Sequence, residues 1–191
     1  MNQTLRLILG IIGIVLALLL GMWVVIPMFT GIPWVPTRKG RIRQALELAG
    51  LQPGEIFYDL GCGDGRILVA AARDFGARAI GIEISPLHCL FTLLRARLAG
   101  VGNNVSVRWG DIYRADLHDA DVVYQYGHSR YAPRLKQHLT EQLRDRARFV
   151  SINVDFPGWQ PAAFDRENVI FLYRMPPQKG DLSSLWMQEK Q

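Results

Sequence analysis

The chain of 191 residues carries 22 Lys and Arg against 17 Asp and Glu, a formal net charge of +5, with 49% hydrophobic and 20% charged residues. That balance excludes a disordered or fibrous chain and leaves room, beyond an apolar N-terminal stretch, for one domain with its own interior. Cys62 and Cys89 stand at neither a metal-ligand nor a paired spacing, which fits a reducing compartment, small buried side chains and no metal site.

From Leu7 to Ile26 there are twenty residues without a charge, and at about 1.5 Å per residue they span roughly 30 Å, the thickness of the bilayer core. The run is apolar on every face, so a surface helix fits poorly, and no small-residue cleavage site follows it as a signal peptide requires. Residues 1–30 are therefore expected to form a single-pass transmembrane anchor, with Trp23 and Trp34 near the interfaces. Arg38, Lys39, Arg41 and Arg43 follow against Arg6 alone upstream, which places the folded domain on the cytoplasmic side. A cation cluster directly behind an apolar span suits an anionic leaflet, and no nucleic-acid partner is expected.

Residues 31–54 read as a connector punctuated by Pro33 and Pro36, then a helix with Ile42, Ala45, Leu46 and Ala49 at helical spacing, closed by Gly50 and Pro53-Gly54. From 55 to 191 the pattern is that of one domain. Ile56–Leu60, Ala79–Ile82, Val105–Trp109, Val122–Tyr126 and Phe149–Val154 are short runs rich in β-branched and aromatic residues, most of them separated by helical stretches. In the clearest helix Ser85 caps, Pro86 occupies the first turn, and Leu87, Leu90, Phe91, Leu94 and Leu98 recur at three and four, the spacing of an apolar face. Alternation of this kind predicts an α/β fold, a Rossmann-like doubly wound and mostly parallel sheet. Asn168–Tyr173 and Leu182–Met187, joined by a turn over 176–181, are expected to add an antiparallel C-terminal hairpin.

The strongest local signal is Asp59-Leu60-Gly61-Cys62-Gly63-Asp64-Gly65-Arg66, a strand running through alternate glycines into an apolar helix. Such a loop lets a ligand approach the backbone closely and turns free amides toward it. The third glycine comes one residue too early for the G-x-G-x-x-G dinucleotide fingerprint, so pyrophosphate binding loses ground. S-adenosylmethionine fits better: its carboxylate suits the helix start and its ammonium suits Asp59. Glu83, followed by Ile84, stands about twenty residues after the loop, where an acid accepts both ribose hydroxyls. After the third strand, Asp111 is placed to accept from an adenine amino group and Ile112 to pack on the ring. The expected cofactor site is thus Asp59, Gly61, Cys62, Gly63, Gly65, Glu83, Ile84, Asp111 and Ile112, at strand ends where open α/β sheets bind ligands.

Through Asp59 to Gly65, Glu83 and Gly110-Asp111 the chain resembles the seven-β-strand, class I S-adenosylmethionine-dependent methyltransferases. With the N-terminal anchor, Val35-Pro36-Thr37 and the strand and helix near Tyr124 to Leu135, it is similar more narrowly to the membrane-anchored protein-lysine methyltransferases of the ATP synthase c-subunit and adenine nucleotide translocase type. That resemblance implies a protein substrate with an accessible lysine. Methyl transfer needs mainly an aligned, neutral nucleophile and exclusion of water. Tyr124 and Tyr126, on one side of the fourth strand, are the catalytic candidates for holding a cationic amine, with Gln125 and His128 beside them. Asn153, Asp155, Phe156, Pro157 and Trp159 are expected to line the acceptor channel. A small-molecule or lipid acceptor, or a non-catalytic nucleotide-binding module, are the alternative readings.

Overall fold

The computed structural model describes residues 2–30, 37–127 and 129–182, without the side chains of 20, 22–30 and 131. The chain divides into two compact units, Met1–Val35 and Pro36–Gln191. The first contains α1 (Gln3–Thr30), 28 residues long, whose described large apolar side chains, Leu5 to Leu19, are exposed. Among the described residues no helix is long and apolar enough to cross a membrane. The expected span over 7–26 runs beyond Leu19 into positions whose side chains, Gly21 apart, lie outside the described residues, as do Trp23 and Trp34.

The second unit runs α2 (Lys39–Leu48), β1 (Ile56–Leu60), α3 (Arg66–Phe75), β2 (Arg78–Glu83), α4 (Pro86–Leu98), β3 (Val105–Trp109), β4 (Val122–Tyr126), α5 (Ala132–Gln142), β5 (Arg148–Ile152), β6 (Ala163–Asp165) and β7 (Ile170–Arg174). The seven strands form one sheet in the order β3-β2-β1-β4-β5-β7-β6. β1 to β5 are parallel, and β7 enters antiparallel between β5 and β6. The order reverses between β1 and β4, which opens a crevice at their carboxyl ends.

Alternation along each strand divides the interior into two cores. Phe57 and Tyr124 join Ile42, Ala45 and Leu46 of α2 and the apolar face of α3 on one side of the sheet. Tyr58, Leu60 and Val123 join Leu135 and Leu139 of α5 on the other, with Phe149, Phe156, Trp159 and Tyr173 as an aromatic cluster. The helix expected within the connector is therefore part of the domain's own core.

The turn from β1 into α3 depends on close packing against α4. Gly61, Gly63 and Gly65 all have positive φ. A Cβ on Gly65 would lie 2.3 Å from Thr92 Cγ2, and the fully buried Thr92 donates from Oγ1 to the Gly63 carbonyl at 2.9 Å. Gly65→Ala combines this overlap with left-handed strain, a cost of about 2–4 kcal/mol. A thermal melt of the variant should shift down by roughly 5–15 °C; an unchanged midpoint would mean that α4 moves aside freely.

Two expectations need correction. The hairpin pairs β7 with Ala163–Asp165, and β7 has β5 on its other side; of the expected second strand, 183–187 lie outside the described residues. The hairpin's turn is 166–169, where Asn168 N and Nδ2 donate to the Asp165 carboxylate and Val169 sits at φ +51°. The second correction concerns α4: Leu90, Phe91, Leu94 and Leu98 are exposed, while His88, Thr92 and Ala96 are the buried face. The close approach at Gly65 admits only a small side chain such as Thr92 there, so the leucine face points away.

Candidate active site

Asp59, Glu83 and Asp111 sit at the carboxyl ends of the adjacent parallel strands β1, β2 and β3. Asp59 is buried, and among the described residues no donor is hydrogen-bonded to its carboxylate. Burial, with Glu83 and Asp64 nearby, pushes its carboxyl well above the ordinary carboxylate range. A buried carboxylate surrounded by acids is a receptor for a cation.

Glu83 is buried too, and both its oxygens are engaged: Oε2 accepts from Gly63 N at 2.8 Å and Oε1 from Ser85 N at 2.9 Å. A carboxylate has about four acceptor positions, so each oxygen keeps one for a ribose hydroxyl. Glu83 thereby ties the glycine loop to the start of α4, where Ser85 Oγ caps by accepting from His88 N.

The loop itself differs from the expectation of free amides. Gly61 N and Cys62 N donate to the Ile82 carbonyl at 2.9 and 3.2 Å, Gly63 N to Glu83, and Gly65 N to the Cys62 carbonyl at 2.9 Å. The loop folds back over the end of β2, and what it offers a ligand is space: a Cβ on Gly61 would meet nothing within 4 Å. Cys62 turns inward, since a Cβ on Gly81 would lie 2.5 Å from its Sγ, so its side chain belongs to the core. Ile84 is exposed along the same edge. Asp111 caps the short turn Ile112–Arg114, with Oδ1 accepting from Tyr113 N at 3.0 Å and Oδ2 3.8 Å from Arg134 Nη2, and Ile112 packs partly against the second core.

A cationic amino acid joined to a nucleoside fits these donors and acceptors. Asp64 has a different task that the glycine spacing does not single out, although Asp64-Gly65-Arg66 carries the signal. Arg66 Nη2 and Arg95 Nη2 meet its Oδ2 at 2.7 and 2.8 Å, and Arg66 Nη1 also donates to the Thr37 carbonyl at 3.1 Å. Burial works to raise its carboxyl, but the hydrogen bond from Arg66 and the charges of both arginines outweigh it and hold it below the usual value. Asp64 thus pins α3, α4 and Thr37 together under the loop.

At the next strand end, Tyr124 pairs in register with Asp59 and packs its ring 6.3 Å from Phe57. Its hydroxyl is buried, and burial, then Asp59, raises its pKa above the ordinary tyrosine value, against Thr37 and Arg41, which work to lower it. Tyr126 is half-buried; its hydroxyl accepts from Asn153 Nδ2 at 3.1 Å, and the Arg41 guanidinium lies 5.6 Å from its ring centroid. Arg41 Nη2 donates to Asn153 Oδ1 and to the Asn168 carbonyl, while its buried Nε has no partner. Arg41, expected from its neighbours in the chain to be a membrane-facing charge, is held instead against Tyr126 and Asn153; Asn153 is 112 residues away, and nothing local in the sequence signals the contact.

Gln125 points to the opposite side, where a Cβ on Gly127 would collide with its amide. His128 lies outside the described residues. Of the expected channel residues, Phe156 and Trp159 are buried in the aromatic cluster and line no channel. Asp155 is a brace, accepting from Tyr173 Oη at 2.7 Å and Phe156 N at 2.8 Å. The Pro157 carbonyl accepts from Lys136 Nζ.

Comparison with known proteins agrees with this geometry. Residues 59–163 match the ANTKMT methyltransferase domain model. A protein-lysine N-methyltransferase of Saccharolobus islandicus (strain REY15A) is 35% identical over 131 residues, covering 68% of this chain and 81% of the relative. The adenine nucleotide translocase lysine N-methyltransferase of Mus musculus is 30% identical over 138 residues, covering 72% of this chain but only 60% of its own length. Among solved structures, an RNA methyltransferase from Salinibacter ruber in complex with S-adenosyl-L-homocysteine superposes with a TM-score of 0.73 at 37% identity, covering 76% of this chain and 97% of the other. The shared domain and the extent of the identity show that the chain belongs to the ANTKMT methyltransferase-domain family, within the class I S-adenosylmethionine-dependent methyltransferases.

Proposed function

We propose that the protein is a lysine N-methyltransferase whose acceptor is an accessible lysine of a membrane-associated protein, and that Asp59, the glycine loop, Glu83, Ile84, Asp111 and Ile112 hold S-adenosylmethionine. The observation that carries the lysine reading is the 35% identity to a protein-lysine N-methyltransferase of which the chain covers 81%.

The cofactor supplies an electrophilic methyl group on a sulfonium. The protein's own part is to deliver a neutral amine in line and to keep water out. Tyr124 and Tyr126 form the aromatic side of the acceptor path, and Arg41 places a fixed positive charge beside Tyr126. A like charge at that position lowers the pKa of an incoming lysine and favours its neutral form. The buried Tyr124 hydroxyl is available to orient the amine by a hydrogen bond.

The membrane part of the proposal rests on the uncharged run from Leu7 to Ile26, the helical backbone of α1 and its exposed leucines and isoleucines. Arg41 and Arg43 are engaged in the folded domain, Arg43 with Glu47 at 2.7 Å, but insertion reads charges before the domain folds, so the cytoplasmic orientation is kept.

Incubating the purified full-length enzyme and radiolabelled S-adenosylmethionine with membranes from a deletion strain tests the reading. Label is expected in a protein, recovered as methyl-lysine after hydrolysis; label confined to lipid or to RNA would overturn it. Deleting residues 1–30 should leave S-adenosylhomocysteine affinity within about twofold and lower the rate on intact membranes by roughly tenfold or more, because tethering raises the effective substrate concentration. Rates on detergent-extracted substrate should be similar for the two forms, and equal rates in both settings would remove the anchor from substrate access.

A further inference from the structure

Among the described residues of the second unit, apart from Ile84 in the cofactor crevice and Val169 in the β6–β7 turn, the exposed large apolar side chains are Leu90, Phe91, Leu94, Leu98 and Trp109. At the α-helical turn of about 100° per residue, the four on α4 fall within an arc of roughly 100°. Leu98 is 81% exposed and Leu90 61%. Opposite them lie the buried His88, Thr92 and Ala96. Trp109 belongs to the same region: its Nε1 donates to the Ile84 carbonyl at 2.8 Å, just before α4 begins, which satisfies its one polar group and leaves the ring 73% exposed.

The rims of this face are cationic. Arg97 and Arg95 flank the apolar arc on either side, and α4 contains no acidic residue. Arg97 forms no ion pair among the described residues. Arg95 shares Asp64 with Arg66, so two guanidiniums meet one carboxylate and an excess of positive charge remains. An apolar stripe with a tryptophan and basic flanks is the pattern of a helix lying in a membrane interface. A second copy packed face to face would bring the arginine rims together with no acid of α4 between them.

We propose that the outer face of α4, with Trp109, docks on the surface of an anionic bilayer, its leucines and Phe91 at the acyl boundary and Arg95 and Arg97 among the headgroups. This rests on the membrane-associated reading above and adds a second, peripheral contact through the catalytic domain itself. A docked α4 fixes the orientation of the crevice relative to the lipid plane, as an acceptor lysine near that plane requires.

The test uses the full-length chain with Cys89→Ala and Leu98→Cys, the new thiol carrying the fluorophore NBD; Cys62 is buried and stays unlabelled. The protein is reconstituted in phosphatidylcholine vesicles with or without about a third phosphatidylglycerol. A lipid bearing a doxyl group near the headgroup should quench this label at least about threefold more than the same label at Gln137→Cys, on the exposed side of α5, and more strongly with the anionic lipid. Adding Arg97→Glu should roughly halve the quenching. Flotation of the vesicles reports the anchor separately. Protein that floats while both labels are quenched alike overturns the α4 docking and leaves the anchor standing. Protein that fails to float overturns both. A label at 98 equally shielded in detergent without lipid means that a protein surface or a second copy covers α4, and this too overturns the proposal.

Discussion

Asp59→Asn is expected to weaken S-adenosylhomocysteine binding by roughly 10- to 100-fold while the melting temperature of the empty protein stays the same or rises. The two halves of that result come from one fact. The Asp59 carboxylate is buried near Glu83 and Asp64 and has no donor among the described residues, so without a bound cation its charge is a cost to the fold. Asparagine keeps the shape and removes that cost, but it also removes the anion that a ligand ammonium requires, a charge-assisted bond of about 1.5–3 kcal/mol. The pH dependence carries the same signature. The folded carboxyl is raised above its unfolded value, so its contribution to the stability of the empty protein is fully present below the unfolded pKa of about 4 and is lost as pH rises through the folded value. Ligand binding runs the other way: it needs the ionised form, so affinity should increase with pH through the raised pKa and then level off. The asparagine variant should show neither trend. Titration calorimetry across pH with S-adenosylhomocysteine and with S-adenosylmethionine also identifies the cation. Equal losses for both ligands point to the ammonium they share, and a loss confined to S-adenosylmethionine would move Asp59 to the sulfonium.

What is legible in the sequence follows from how local each signal is. β1 and β4 are nearly continuous apolar runs because the centre of the parallel sheet is covered on both faces, and β1 and its glycine loop lie side by side in the chain, so the acids at 59, 83 and 111 can be placed at strand ends by sequence alone. β6 escapes because three residues, Ala163–Asp165, give too short a pattern, and its turn is held by Asp165 and Asn168 without a glycine. The face of α4 reverses for a different reason. Periodicity reports that leucines share a side, but the near approach at Gly65 decides which side can enter the core: the small Thr92 fits there, and His88 and Ala96 are buried with it. Arg41 shows the limit of composition: a residue in a basic cluster reads as surface charge, whereas its partners Asn153, Asn168 and Tyr126 come from strand ends more than eighty residues away.

Glu83→Ala should produce the larger loss, because one side chain serves both the loop and the ligand. In the empty protein its two oxygens hold Gly63 N and Ser85 N, so alanine leaves two backbone donors without their acceptors and frees the loop from the start of α4. Removal of the two ribose bonds adds about 2–4 kcal/mol, so affinity for S-adenosylhomocysteine is expected to fall by roughly 30- to 900-fold. The melting temperature should fall as well, in contrast to Asp59→Asn. The difficulty is that a loosened loop alone would also weaken binding. Ligands separate the two effects: 2′-deoxy and 3′-deoxy analogues of S-adenosylhomocysteine each lack one hydroxyl, and each should lose about tenfold or more against the parent protein. If Glu83 accepts from those hydroxyls, the variant has nothing left to lose, and its affinities for the three ligands should converge. A variant that still discriminates among them as the parent does would show that the ribose is held elsewhere, and would reduce Glu83 to a brace between Gly63 and Ser85.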